Sequence, residues 1–504
     1  IYYEDSSGLV ENINPSGADD SGHEWLQARL KVLWEATDQT TVNLTAIFSD
    51  EEQGTDENVP SGVWDIDTVD TFALGVPGSL LSPIDPGTGF WPDNRNKLSH
   101  DIDEHNKTQG YVGILNIAHQ FNDDVLFKWV TGVIDATQGR VFDNDLVGGL
   151  DLIYRANRYD GLSWSTEGRI EITKPQYDLV AGILYAQDEQ TQRNKVQISS
   201  DPTAGYVGPE CDGDGDGIPG NSAVPCGFLP PFPMGLGLAF NNKSFEVESI
   251  AAFGDLTWHW NERLDLIIGG CYTHDKVTNE IASLGIAPNN PPAPPPSAAF
   301  FQSFINVARP VARNEEQFDD ISPRFAARYQ LTEEVGVYFT VSKGYKAGGT
   351  SVGNNTNAPG QPAVEVPFKD ETLWNYEGGI KSELFERRLR LNMSVFHLEW
   401  SDLQLEAFRF LTPGDLSSNF EQVINVEDAE ATGFEMEFVA VPTDRITITG
   451  GFGYLDSEIT SDDTAELTGG IVASLKGLDI PKAPELTANL TGEYRFPLAA
   501  NEAW

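Results

Sequence analysis

Positive charge is scarce in this chain. Against 77 Asp plus Glu, the 504 residues include only 32 Lys plus Arg, a net charge of −45. Binding nucleic acid requires a basic face, so nucleic acid is excluded as a partner. Long apolar runs are also missing. Stretches such as Leu264 to Ile268 are broken by an acid, here Asp265, and none nears the roughly 20 apolar residues of a membrane-spanning helix. Helical membrane proteins are thereby excluded. Ile1 is preceded by no Met, and no basic region followed by an apolar one marks a signal peptide. The expectation is a mature chain or one cut at both ends. Catalytic signatures are absent too: there is no H-E-x-x-H, no G-x-S-x-G, no Walker loop and no dinucleotide fingerprint leading into a helix. Carboxylate pairs occur, but among 77 acids they arise by chance. No enzyme is expected, and no cofactor is required.

The residues that are present describe a folded, turn-rich chain. Hydrophobic residues make up 40% and aromatics 11%, with 48 Gly and 30 Pro, a balance neither greasy nor typical of disorder. Several segments alternate with period 2, which puts one set of side chains on each face of a strand. Phe325, Ala327, Tyr329 and Leu331 alternate with Arg324, Ala326, Arg328 and Gln330. Leu26 to Trp34, Leu264 to Thr273, Ile446 to Tyr454 and Leu486 to Phe496 repeat the pattern. Leu389 to Val395 alternates well, and then the phase blurs at Phe396. Strands of about ten residues exceed the five or six usual in a soluble sheet.

Aromatics stand beside turn after turn. Trp34, Phe121, Trp260, Tyr329, Phe385 and Phe496 each precede a short polar connection, the placement of a girdle where a barrel meets a lipid interface. The connections are Ala36 to Thr40, Asn122 to Asp124, Lys174 to Gln176, Asn261 to Arg263, Thr332 to Glu334, Glu386 to Arg388, Thr443 to Arg445 and Ala499 to Glu502. Successive turns are separated by far more chain than two such strands use, so the remainder is assigned to long loops at the opposite rim: Asp50 to Asn106, Gln187 to Ser244, Val277 to Gln317 and Gly348 to Lys369. Short turns at one rim and long loops at the other are the asymmetry of an outer-membrane barrel. The expected fold is therefore all-β, a transmembrane antiparallel β-barrel with short periplasmic turns and long extracellular loops, about 15 or 16 strands of it in this chain.

Specific residues carry a resemblance. Ser322-Pro323-Arg324-Phe325-Ala326-Ala327-Arg328-Tyr329, then Val337-Tyr338 and Ser342-Lys343-Gly344-Tyr345-Lys346-Ala347-Gly348-Gly349, resemble the barrel of TonB-dependent outer-membrane receptors. Tyr272-Thr273-His274-Asp275-Lys276, Glu371 to Gly379, Ala431 to Glu435 and Pro481 to Pro484 are similar to further stations of that family, in order, from about Trp25 to Phe496. Cys271 departs from it, standing where the family often has Arg, and alternation points it into the lumen. The resemblance implies a parent barrel of about 22 strands, its lumen filled by an N-terminal plug. It implies transport driven by the inner-membrane TonB–ExbB–ExbD complex acting through that plug. No plug or energy-coupling box is recognisable here, so the chain is expected to be a partial barrel domain over 1–504.

Candidate site residues are few. Cys211 and Cys226 bracket a Gly- and Asp-rich stretch. A disulfide between them would close a loop of about 15 residues and stabilise it by roughly 3 kcal/mol on the chain-entropy model; the alternative is two free thiols. Inside the bracket, Asp212, Asp214 and Asp216 alternate with glycines like the opening of a calcium loop. The twelfth position is Ala223 and no helices flank the stretch, so a solvated acidic turn stands beside the calcium reading. His100 to His105 packs two His and three carboxylates together, a divalent site or a solvated charge run. The tract Pro291 to Pro296 reads as a stiff spacer. Ligand capture in a barrel mouth combines apolar surface with a few orienting polar groups. Phe90, Trp91, Phe228, Phe232, Phe240, Phe300 and Phe301 are the loop aromatics available, either for a ligand or for packing the loops together. The many acids sit among lipopolysaccharide head groups bridged by divalent cations, or keep the loops soluble.

The functional expectation is an active receptor in the outer membrane of a Gram-negative cell, taking up a scarce ligand such as a ferric siderophore. The alternatives are a passive porin-like channel and a calcium-dependent surface protein.

Overall fold

The computed structural model describes residues 1–12, 21–54, 97–98, 104–143, 153–198, 239–285, 312–353, 364–410, 419–467 and 471–496. In chain order the strands are β1 (Tyr2–Ser6), β2 (Glu11–Asn12), β3 (His23–Thr37), β4 (Thr40–Gln53), β5 (Lys97–Leu98), β6 (His105–Asn122), β7 (Val125–Asp143), β8 (Ile153–Lys174), β9 (Tyr177–Ile198), β10 (Ala239–Asn261) and β11 (Leu264–Gly285). They continue as β12 (Ala312–Gln330), β13 (Val335–Lys346), β14 (Gly349–Gly353), β15 (Val364–Phe368), β16 (Glu371–Leu384), β17 (Leu389–Phe410), β18 (Asn419–Thr443), β19 (Ile446–Ile459), β20 (Thr464–Leu467), β21 (Ile471–Ser474) and β22 (Leu486–Tyr494). Sixteen of them form one meander, from β1 at one edge to β22 at the other. Each strand pairs antiparallel with its neighbour in that order.

Register decides which residues share a face. Leu44 lies opposite Val32 and Leu115, Leu115 opposite Thr131, and Thr131 opposite Thr166. The same row passes through Tyr185 to Ile250. Side chains on it and on the neighbouring rows of that face are large, apolar and exposed: Leu30, Val32, Ile183, Ile250, Ile268, Ile321, Phe325, Phe339 and Val395. So much apolar surface turned outward is stable only in lipid. Aromatics bound this band. Trp34, Phe121, Trp260, Tyr329, Phe385 and Phe496 are exposed at the turn side, and Tyr111, Trp164, Tyr272 and Tyr454 are exposed toward the other end. Phe48 stacks obliquely on Tyr111 with ring centres 5.2 Å apart, and Trp164 on Tyr185 at 5.1 Å. The girdle expected at the turns is thus matched by a second one.

Five of the turns are built alike. Asn122 Oδ1 accepts the Asp124 N–H (3.0 Å), and Asn261 Oδ1 accepts those of Arg263 (2.8 Å) and Leu264 (3.0 Å). Thr37, Thr332 and Thr443 use their hydroxyls in the same way toward Gln39, Glu334 and Arg445. A short polar side chain at or just past the end of each of these strands thus satisfies the backbone donor two residues on and closes the hairpin. The β16–β17 connection lacks this device. Phe385, Glu386 and Arg387 there take φ of 56°, 56° and 66°, a left-handed path that residues with a Cβ seldom follow. Seven of the predicted turns are found as hairpin connections, and the eighth, Ala499 to Glu502, lies outside the described residues.

Two expectations need correction. Strands are longer than about ten residues: β10 has 23 and β18 has 25. Outside the lipid band both faces of a strand meet water or polar neighbours, so apolar alternation stops while the hydrogen-bonded ladder continues, as at Gln187 to Gln192 in β9. The loops shrink to match. The stretch assigned to a loop from Gln187 is strand as far as Ile198 and again from Ala239, which places Phe240 in β10, opposite Leu284 and Lys195, and not in a loop. The second correction concerns Phe396. It lies opposite Gly433, and a Cβ added there would stand 2.2 Å from the ring. The blurred phase is therefore an inward aromatic lying over a glycine, an arrangement repeated by Tyr338 on Gly379 and Phe253 on Gly182.

Candidate functional site

On the inward face the residue types change. Near the turns it is a belt of ion pairs. Lys128 Nζ donates to Glu171 (2.9 Å), and Arg169 donates to both Glu167 and Glu171 (2.8 Å each). His259 lies between Asp265 (2.8 Å) and Asp178 (3.3 Å), while Arg328 reaches Asp265 (3.2 Å) and Arg324 reaches Asp255 (3.1 Å). Cys271 points inward, as alternation predicts, and is a free thiol.

Higher up, the wall has a seam. β12 and β13 pair from Gln330 opposite Gly336 to Arg324 opposite Ser342 and no further, although both strands continue. The next residue of β12 is Pro323, which has no N–H to donate and ends the ladder with β13. β12 stays paired to β11 and β13 to β16. Polar side chains fill the seam: Lys343 Nζ donates to Asp320, whose other oxygen accepts from Ser322 Oγ (2.6 Å). Asp320 is 4% exposed and Lys343 19%.

Above the seam the β14–β15 hairpin crosses the mouth. On one side Thr350 Oγ1 donates to Glu316 (2.7 Å) and Asn279 Nδ2 donates to the Thr350 carbonyl (3.3 Å). On the other, Ser351 Oγ accepts the Val423 N–H (2.8 Å). The hairpin thus ties β11 and β12 to β18, which requires the sheet to curl round it. At the hairpin base Asn425 accepts the Lys369 N–H (2.8 Å) and donates to the carbonyls of Lys369 (3.0 Å) and Asp402 (2.9 Å). The Asp402 carboxylate, 2.9 Å from Lys369 Nζ, holds that ammonium above its ordinary pKa. Asn425→Ala removes three bonds at once. We expect amide exchange in β14 and β15 to rise by about tenfold, with the rest of the barrel unchanged. Hydrogen exchange read by mass spectrometry checks this, and equal acceleration in β8 or β9 would show that the hairpin is not a separate unit.

Beneath the hairpin is a cavity of about 580 Å³ lined by residues of β6 to β11 together with Thr350, Ser351, Glu406, Gln422 and Val423. Its groups form short networks. Gln192 Nε2 donates to Tyr159 Oη (2.9 Å), and Asp188 accepts from Ser163 Oγ (2.6 Å) and Gln190 Nε2 (3.3 Å). Gln422 is 7% exposed, and its Oε1 has no hydrogen-bond partner among the described residues. Concave, partly apolar and lined by converging polar groups, the cavity is suited to binding a ligand.

Most residues singled out from sequence are not among those that build this vestibule. Phe90, Trp91, Cys211, Asp212, Asp214, Asp216, Cys226, Phe228, Phe232, Phe300 and Phe301 lie outside the described residues. Among the described residues no group of three or more His, Cys, Asp or Glu is disposed to hold a metal ion. The amides that line the vestibule, Gln138, Gln190 and Gln422, were missed because polar residues at strand tops read as loop.

Comparison with known proteins bears on the whole chain. A family described as TonB dependent receptor-like, beta-barrel, matches residues 33–504. The metal-pseudopaline receptor of Pseudomonas aeruginosa is 27% identical over 183 residues, 36% of this chain and 21% of that one. The pesticin receptor of Yersinia pestis is 27% identical over 190 residues, 38% of this chain and 23% of that one. Among solved structures, the ferric yersiniabactin uptake receptor from Yersinia pestis superposes with a TM-score of 0.65 at 18% identity, covering 99% of this chain and 60% of that one. That likeness is one of fold. The matched segments are under a quarter of the curated relatives' lengths.

Proposed function

Since this chain belongs to the TonB-dependent receptor β-barrel family and its barrel resides in the outer membrane of a Gram-negative cell, we propose that it forms the wall and vestibule of a receptor that takes up a metal–chelator complex. The observation that carries the reading is the polar vestibule under the β14–β15 hairpin, on the side of the barrel away from the short turns. There a ligand arriving from outside meets converging hydrogen-bonding groups before the ion-paired lower lumen. The relatives named above are receptors for metal–pseudopaline, pesticin and ferric yersiniabactin. A scarce ligand held this way must be released inward against its own affinity, which requires energy, and the TonB complex of the inner membrane is the source the family uses. The protein is read as a transporter and not as an enzyme. Its outward carboxylates beyond the upper aromatic band, Glu246, Glu248, Glu315 and Asp319, fit lipopolysaccharide head groups bridged by divalent cations.

Uptake of radiolabelled ferric chelates by metal-starved cells tests the proposal. Saturable uptake is expected in cells with the complete gene and is expected to fall to background when the inner-membrane coupling complex is inactivated. Uptake that survives inactivation and rises linearly with concentration would make the barrel a passive channel.

A further inference from the structure

The vestibule also restricts the charge of what it holds, an inference that rests on the uptake reading above. The described lining residues include the acids Asp188 and Glu406, one ammonium, Lys243, and no guanidinium. A third acid, Asp160, is turned to the outer face, where Arg158 stands 3.1 Å from it and Arg193 3.9 Å. The remaining polar lining is made of amides and hydroxyls. Gln422 adds a specific demand, since it lines the cavity and its Oε1 is buried and unpartnered among the described residues. A buried acceptor without a donor is unfavourable, and a ligand N–H or O–H would satisfy it.

A polyanionic complex entering this space would shed its hydration beside two carboxylates with one ammonium to offset them, a like-charge arrangement that discriminates strongly against binding. An uncharged complex avoids that loss. Its amide or hydroxyl periphery matches Gln190 and Gln422, and its apolar surface matches Tyr159 and Phe245, both of which line the cavity. We propose that the ligand of this vestibule is an uncharged metal chelate of the hydroxamate type, donating a hydrogen bond to Gln422, and not a polyanionic chelate of the catecholate type.

The test uses the complete protein purified in detergent, with tryptophan fluorescence titrated by two probes: a ferric tris-hydroxamate, which is neutral, and a ferric tris-catecholate, which is a polyanion. At physiological ionic strength the neutral probe is expected to bind at least about tenfold more tightly. Gln422→Leu should weaken the neutral probe by about fivefold. Gln190→Lys, at an exposed position, should strengthen the polyanion and narrow the gap without depending on a buried substitution. A polyanion that binds the unaltered protein as tightly as the neutral probe, or more tightly, overturns this inference and leaves the uptake reading standing. Failure of both probes to bind removes the metal–chelator reading itself, and this inference with it.

Discussion

Lys343→Ala is expected to destabilise the barrel by about 3 kcal/mol. The substitution leaves Asp320, 4% exposed in the β12–β13 seam, without the ammonium that compensates it. Removing one partner of a buried ion pair costs about 3 to 5 kcal/mol because a desolvated charge remains. The lower end applies because Ser322 Oγ still donates to the carboxylate. Two companion variants separate the causes. Asp320→Asn with Lys343→Met removes both charges and should recover most of the loss, since replacing such a pair with neutral groups is often close to neutral. Ser322→Ala should cost only about 1 kcal/mol, the value of one hydrogen bond. Urea unfolding in phospholipid vesicles gives all three. A loss below about 1 kcal/mol for Lys343→Ala would mean that water in the lumen already screens the pair.

A comparable effect is expected on the opposite face. Ile268 is 53% exposed, between the turn-side Trp258 and the outer Tyr272, so its neighbours outside the protein are lipid chains. Arginine on the lipid face costs about 2 to 4 kcal/mol at mid-depth and far less near the interfaces, whereas substitutions in the lumen are tolerated. Ile268→Arg should lose about 3 kcal/mol, and Thr273→Arg, on the same strand with an inward side chain, less than about 1 kcal/mol. Equal losses would reverse the assignment of faces on which the whole architecture depends.

The lipid band and the turns were legible because each has a strong local signal. Apolar alternation survives in Leu26 to Trp34 and Phe325 to Tyr329, and Asn or Thr at a strand end carries its own hydrogen-bonding reason for a turn. The strand tops were illegible for the same physical reason reversed. Where both faces are polar, as at Gln187 to Gln192, nothing in the pattern distinguishes a paired strand from a loop, and only the register reveals it. The vestibule lies in that zone, so its amides carried no sequence signal. Phe240 was misplaced by the same blindness. Pro323 stood in plain view within the family-like stretch. Its consequence, the end of the β12–β13 ladder, depends on which neighbour its missing donor would have served, and that requires the fold.

The length of the strands has a bearing on where capture happens. Twenty-five residues of β18 at about 3.3 Å each, tilted by roughly 40°, rise through roughly 60 Å. Lipid accounts for about 25 Å of that height. With the hairpin turns kept short on the inner side, most of the remainder stands outward as a tower of backbone. Its rim lies farther from the membrane than lipid head groups reach. A solute diffusing past the cell therefore meets the protein before it meets the lipid surface, and so does an antibody or a phage tail.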